Sequence, residues 1–233
     1  MKKCRKRFGQ LFAVFALVIN LVLSTISYMP VFAEESTISI STAEDLKRLA
    51  ENCVYDAFSK DKQVVLLNDI DLNGGVLKPI AVFCGVFEGN NHTIRNFRLE
   101  EKGSEKGFFI RVAEGAVVRG LNLAGEISVA NEKNSQTNAK DTIANLAKTF
   151  GLKFNDDTEY ARIAGGIAGS NYGTIQGCTF SGRITGEIKV GGIVGENRSA
   201  GVVDYCMNTA EVSGDQAVGG VAGSNQGRIE SSQ

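Results

Sequence analysis

Asp69 and Asp71 form the close acidic pair of a predicted strand, and two carboxylates at i and i+2 lie on one face of it. Such a pair could act as acid and base or hold calcium. With Ile70 and Leu72 taken as core, however, that face points outward, and a solvated pair is expected. Sugar hydrolysis needs two carboxylates at a set separation across a cleft, often with aromatic platforms. This chain has no Trp and its five Tyr are scattered. Calcium-binding nonapeptides, with Asp recurring in a glycine frame, are absent too. His92, the sole histidine, sits in Asn91-His92-Thr93-Ile94, a turn entering a strand. Lacking a nucleophile or a second ligand, it is expected to be a structural polar residue. The residues therefore predict no catalytic, cofactor-binding or metal-binding group. The sequons Asn91-His92-Thr93 and Asn197-Arg198-Ser199 are taken as chance matches.

Cysteine offers the remaining chemistry. Cys53, Cys84, Cys178 and Cys206 follow the N-terminal segment that holds Cys4. An even number keeps disulfides open, while the spacing lacks the close pairs of a zinc site. Cys178 and Cys206 occupy equivalent places in a repeat, so stacking would bring them to the ~4.8 Å strand spacing. A disulfide prefers Cα atoms near ~5.5–6 Å and a specific torsion, so buried thiols acting as small apolar residues are expected there. Ser232 falls where the next Cys would be.

That repeat is what must position every one of these groups. Gly165-Gly166-Ile167-Ala168-Gly169-Ser170-Asn171 recurs as Gly191-Gly192-Ile193-Val194-Gly195-Glu196-Asn197 and as Gly219-Gly220-Val221-Ala222-Gly223-Ser224-Asn225, with starts 26 and then 28 residues apart. The two extra residues lie between Asn197 and Gly201; beyond them Gly173, Ile175, Cys178 and Ile184 match Gly201, Val203, Cys206 and Val212. Each unit holds three short apolar segments. It is too short and glycine-rich to bury a face alone, so coil must stack on coil. Thr174-Ile175-Gln176 and Arg183-Ile184-Thr185 alternate as strands with one buried face. The paired glycines belong at corners, where positive φ or close approach excludes a Cβ. The fold class expected is all-β, a right-handed parallel β-helix or solenoid with three strands per coil, an N-terminal capping helix and one helical insertion.

Earlier coils are degenerate. Gly85-Val86-Phe87, Thr93-Ile94 and Phe97-Arg98-Leu99 parallel Gly107-Phe108-Phe109, Val117-Val118 and Leu121-Asn122-Leu123; Val64 to Leu67 and Ile70 to Leu72 are the predicted strands of the first coil. Ser41-Thr42-Ala43-Glu44 reads as a capping box opening a helix to Cys53, with Leu46, Leu49, Ala50 and Cys53 on one face to cover the open end. Residues 131–160 break the pattern, with Ile143, Leu146, Ala147 and Phe150 at helical spacing and Gly151 as a C-terminal cap. The expected segments are a signal at 1–33, a capping segment at 34–60, early coils at 61–130, a helical insertion at 131–160 and repeats at 161–233, cut short in the last coil.

The Gly-Gly-Ile-Val-Gly-x-Asn units followed by Gly-x-Ile and Cys resemble the GLUG-motif repeats of bacterial surface proteins. Asn68-Asp69-Ile70-Asp71-Leu72, Pro79-Ile80, Gly85 to Ile94 and Gly107-Phe108-Phe109 resemble the segment that leads into such repeats. Departures are Glu88 for Asp, Asn91 for Gly and Phe109-Ile110 for Phe-Gly. The resemblance implies an exported, wall-attached protein, and some of these proteins are similar to the region ahead of the peptidase domain in bacterial immunoglobulin-A peptidases. This chain has no His-Glu-x-x-His.

Residues 1–33 fit an export signal. Lys2, Lys3, Arg5, Lys6 and Arg7 precede an apolar run from Leu11 to Leu23, too short for the ~20 residues that span a bilayer, and Val31-Phe32-Ala33 sets cleavage between Ala33 and Glu34. Without the five signal cations, 20 Lys+Arg face 26 Asp+Glu, a net charge of −6. An acidic surface without a basic cluster excludes nucleic acid as an expected partner, and no later segment is apolar enough to cross a membrane. The expectation is a non-catalytic secreted or cell-surface scaffold or adhesin, on a Gram-positive wall, binding a host or cell-surface protein or a glycan. The alternative is the non-catalytic N-terminal region of a larger surface peptidase or carbohydrate-active enzyme.

Overall fold

The computed structural model describes residues 37–55, 57–99, 105–128 and 163–233. The export signal with its Ala33/Glu34 junction, and the insertion at 131–160, lie outside them. Among the described residues the strands build four sheets, and the strand pairings that link them are parallel. Sheet 1 stacks β1 (Thr37–Ile40), β2 (Gln63–Leu66), β5 (Val86–Glu88), β9 (Val117–Arg119), β13 (Thr174–Gln176), β17 (Val202–Asp204) and β22 (Arg228–Glu230). Sheet 2 stacks β3 (Ile70–Val76), β6 (Thr93–Leu99), β10 (Asn122–Ser128) and β14 (Thr179–Thr185), with β18 (Met207–Asn208) and β19 (Glu211–Ser213) both on β14. Sheet 3 holds β7 (Glu105–Lys106), β11 (Ile163–Gly165), β15 (Lys189–Gly191) and β20 (Ala217–Gly219). Sheet 4 holds β4 (Ile80–Phe83), β8 (Phe109–Val112), β12 (Ala168–Asn171), β16 (Val194–Asn197) and β21 (Ala222–Asn225).

The chain visits sheets 1, 2, 3 and 4 in turn and then returns to sheet 1, one strand further along, as a parallel solenoid requires. A full turn has four strands where three were expected. The difference lies at the glycine pair: Gly191 ends β15, Gly192 and Ile193 make the corner, and Val194 begins β16. One apolar segment in the sequence is thus two strands in space. The first turn skips sheet 3, crossing from Val76 to Ile80 through Leu77-Lys78-Pro79.

Stacking is in register. Ile167 N–H donates to Ile193 O at 2.8 Å and Ile193 N–H to Val221 O at 3.0 Å, so these three residues form one column. Alternation along each strand sends Ile175 and Ile184 inward and their neighbours toward solvent. In the early turns the interior is aromatic: Phe83, Phe87, Phe108 and Phe109 pack with ring centroids 5.1 to 6.0 Å apart. Edge-to-face packing of this kind adds roughly 0.5–1.5 kcal/mol per pair beyond burial.

Helix α1 (Ala43–Asn52) buries Leu46, Leu49 and Ala50, and Cys53 is buried at its C-terminus. It touches β1, β3 and β4, the first strands of sheets 1, 2 and 4, and so covers exposed strand edges that would otherwise invite association. Its capping box lies one residue later than Ser41 and Glu44. Thr42 Oγ1 accepts from Asp45 N at 3.1 Å, and Asp45 Oδ2 accepts from Thr42 N at 3.0 Å. Asp45 wins because its carboxylate also takes the Ser41 N–H, at 3.1 Å. Strand β1, which pairs with β2 ahead of the helix, was hidden inside the expected capping segment.

Candidate functional site

Asp69 and Asp71 do not converge. Asp69 Oδ1 accepts from Thr93 N at 2.9 Å and lies 3.1 Å from His92 Nδ1, one turn along. The Thr93 N–H, and then His92, hold its carboxyl below the usual range. Asp71 accepts from Arg95 Nε, Asn96 Nδ2 and its own turn's Asn73 N–H, each at 2.9 Å. Arg95 first, then Asn73 and Asn96, push it down to about 2. These carboxylates tie β3 to β6, and His92 belongs to the same structural network. Among the described residues no group of three or more His, Cys, Asp or Glu is placed to hold a metal ion.

The repeat glycines act through closeness. None of Gly165, Gly166, Gly169, Gly191, Gly192, Gly195, Gly219, Gly220 or Gly223 has positive φ. At all but Gly220 an added Cβ would come closer than 3.0 Å to another atom. For Gly166 and Gly192 the obstacle includes the carbonyl of the matching glycine one turn on, Gly192 and Gly220. Backbone therefore packs on backbone at this corner. Cys178 and Cys206 are buried thiols in adjacent turns. Each Sγ reaches main-chain carbonyls, Cys178 that of Gln176 at 3.4 Å and Cys206 that of Asp204 at 3.3 Å. Ser232 Oγ accepts from Cys206 N at 3.0 Å in the next place.

Two polar features escaped sequence reasoning. The last Asn of each repeat forms a ladder, buried at Asn171 and Asn197 and exposed at Asn225: Asn171 Nδ2 donates to Asn197 Oδ1 at 2.9 Å, and Asn197 Nδ2 to Asn225 Oδ1 at 2.8 Å. Asn171 and Asn225 also accept from the N–H of Gly173 and Gly227, both at 3.1 Å. The recurrence of Asn at one repeat position was the available signal. It also leaves Asn197 buried, outside the reach of glycosylation. The second feature is Glu196, 1 % exposed, with Lys189 Nζ at 2.9 Å from Oε1 and Arg198 Nη2 at 2.8 Å from Oε2. Arg198 and Arg111 face the Tyr172 ring at 5.7 and 5.5 Å. Glu196 stands in register with Ser170 and Ser224, a difference visible in the sequence, but the partners that close over it are not.

On the surface, opposite charges alternate from turn to turn. Arg98 meets Glu126 at 3.4 Å and Arg183 meets Glu211 at 3.0 Å on sheet 2, while Arg119 Nε donates to Glu88 at 2.6 Å on sheet 1. Two open cavities flank these rows. One, about 370 Å³, is lined by Asn96, Phe97, Arg98, Gly125, Glu126 and Gly182; the other, about 510 Å³, by Lys62, Cys84 and Arg119 among others.

Residues 160–185 match the family model of the GLUG motif. The chain carries that motif. It spans β11, β12, β13 and β14, one strand from each sheet, so a single GLUG motif is one full pass through the four sheets. Its glycines are the backbone-packed corner, and its Asn is a buried rung of the ladder. Over 162 residues the chain is 31 % identical to halomucin of Haloquadratum walsbyi (strain DSM 16790 / HBSQ001). The match takes in 64 % of this chain and 1 % of halomucin, so the chain spans a small fraction of the relative it matches. No solved structure matches it.

Proposed function

We propose that this chain is a non-catalytic module of a cell-surface or secreted protein, a scaffold with an adhesive role, whose coils wind right-handed. The observation that carries the reading is where the reactive side chains are spent. Asp69, Asp71, Glu88 and Glu196 are each engaged by a hydrogen bond or ion pair that ties one turn, or one strand, to another. The GLUG motif and the likeness to halomucin fit a surface module; neither supports a Gram-positive wall. Right-handed winding rests on the handedness of parallel crossovers, roughly 98 % of which are right-handed.

The preferred contact region is 131–160. The turns on either side frame it: β10 ends at Ser128 and β11 begins at Ile163, whereas the next turn crosses from Thr185 to Lys189 through Gly186-Glu187-Ile188. Both β10 and β11 stay in register with their neighbours, so the coil continues across the insertion. Replacing residues 129–162 by Gly-Glu-Ile should leave the far-UV β signal intact and abolish binding to a printed glycan array or to immobilised extracellular-matrix proteins. Unchanged binding, or loss of the β signal, would overturn this placement. Turnover of polyuronates by the isolated chain would overturn the non-catalytic reading.

A further inference from the structure

Two cysteines distant in sequence come to one serine beneath the capping helix. Cys53 closes α1 and is buried, and its carbonyl accepts from Val82 N at 3.1 Å. Cys84 follows β4 by one residue, and its N–H donates to Ser59 Oγ at 2.9 Å. The Cys53 thiol hydrogen-bonds the same Ser59 hydroxyl and lies close enough to Cys84 to feel its charge. A single buried hydroxyl is thus flanked by both cysteines. Cys84 in addition lines the solvent-open cavity of about 510 Å³, with Lys62 and Arg119 on its walls. Small thiol reagents therefore have a path to Cys84.

We propose that Cys53 and Cys84 form a disulfide that staples the capping helix to the first turn when the protein meets a disulfide oxidant. The order of events follows from exposure. Burial pushes the Cys53 thiol up to about 11, so it is a poor first nucleophile at neutral pH. Cys84 thiolate attacks a low-molecular-weight or oxidoreductase disulfide, forms a mixed disulfide and releases one thiolate. Cys53, losing its proton, then attacks the Cys84 sulfur and expels the second thiolate. The protein loses two electrons and two protons; the oxidant's disulfide gains both as two thiols. Cys178 and Cys206 are expected to stay reduced. They are buried in adjacent turns just ahead of the in-register strands β14 and β18, and they line neither of the two cavities described above. The staple closes the loop between residues 53 and 84 in the unfolded chain, which is where a disulfide acts most.

The test incubates the purified full chain with oxidised glutathione, alkylates it, and maps tryptic peptides without reduction. The expected product joins residues 49–60 to residues 63–95, two hydrogens lighter than the separate peptides, and forms faster as pH rises and Cys53 ionises. Cys178 and Cys206 should accept the alkylating reagent only after unfolding. Cys53→Ser should instead keep glutathione on Cys84. A persistent glutathione adduct on Cys84 of the unmutated chain, a Cys178–Cys206 link formed first, or no reaction in the folded state would each overturn the proposal. If Cys53→Ser fails to fold, the map of the unmutated chain decides.

Discussion

One column of sheet 4 runs in register through Phe83, Val112, Asn171, Asn197 and Asn225. The first two places are apolar and the last three carry the amide ladder, all within one stack of parallel strands. Before residue 129 the turns fill their interior with rings. After residue 162 they bring backbones together at glycine corners, line the core with Ile, Val and Cys around the ring of Phe180, and satisfy the side-chain amides turn by turn. The same contrast shows in sheet 2, where the Phe97 ring occupies the space a side chain on Gly125 would need. Aromatic filling tolerates irregular turns, because each ring can tilt. The glycine corner does not, since a Cβ there would meet the backbone carbonyl of the next turn as well as a packed side chain, Phe180 at Gly166 and Asn208 at Gly192. That difference explains why the later turns keep a visible repeat and the early ones do not.

The largest effect should come from Gly192→Val, whose Cβ would collide with the Gly220 carbonyl and Asn208. A cost above about 4 kcal/mol is expected, read as loss of the cooperative urea transition by circular dichroism. The same change at Gly220, with nothing within 4 Å, should cost little in this chain. Equal effects at the two would break the idea that closeness between turns selects glycine. Phe109→Ala removes a ring packed on Phe83, Phe87 and Phe108 and should cost about 3–5 kcal/mol in the same assay. Asn197→Ala removes one hydrogen bond from the amide of Asn171 and one from the carbonyl of Asn225, and takes the side-chain donor from the carbonyls of Gly201 and Arg228. It should cost about 1–3 kcal/mol, while leaving the early turns as protected against amide exchange as before.

The smallest effect concerns acid. Asp71 has its pKa lowered to about 2 in the fold, so the stability it contributes is complete above its ordinary 3.8 and is lost as pH falls from there through about 2. Asp71→Asn should flatten the acid dependence of unfolding between pH 4 and 2 and lower neutral stability by the same amount, which is small because the group is largely open to solvent. An unaltered acid limb would show that β3 and β6 are held by register and not by this carboxylate.

How much of this was legible depended on whether a residue's role repeats. Ile167, Ile193 and Val221 declared their column because stacking forces like residues to recur at one interval. The nine repeat glycines were legible for the same reason, although closeness and positive φ leave the same mark in a sequence. The fourth strand per turn was not legible, since Gly191-Gly192 bends one apolar segment without changing its composition. Glu196 was hidden because its role depends on Lys189 and Arg198 closing over it in that turn alone.

By itself, the sequence determined the stacking period, the inward-facing aliphatics and the helix over the first turn, all of which follow from local patterns that hydrophobic burial reads directly. The tertiary structure alone decided which polar groups meet: the amide ladder, the Glu196 ion pairs, and Cys53 beside Cys84 at Ser59. Those contacts join residues one turn or more apart, and hydrogen bonds and thiol chemistry act over a few ångströms, a scale set only once the turns are stacked.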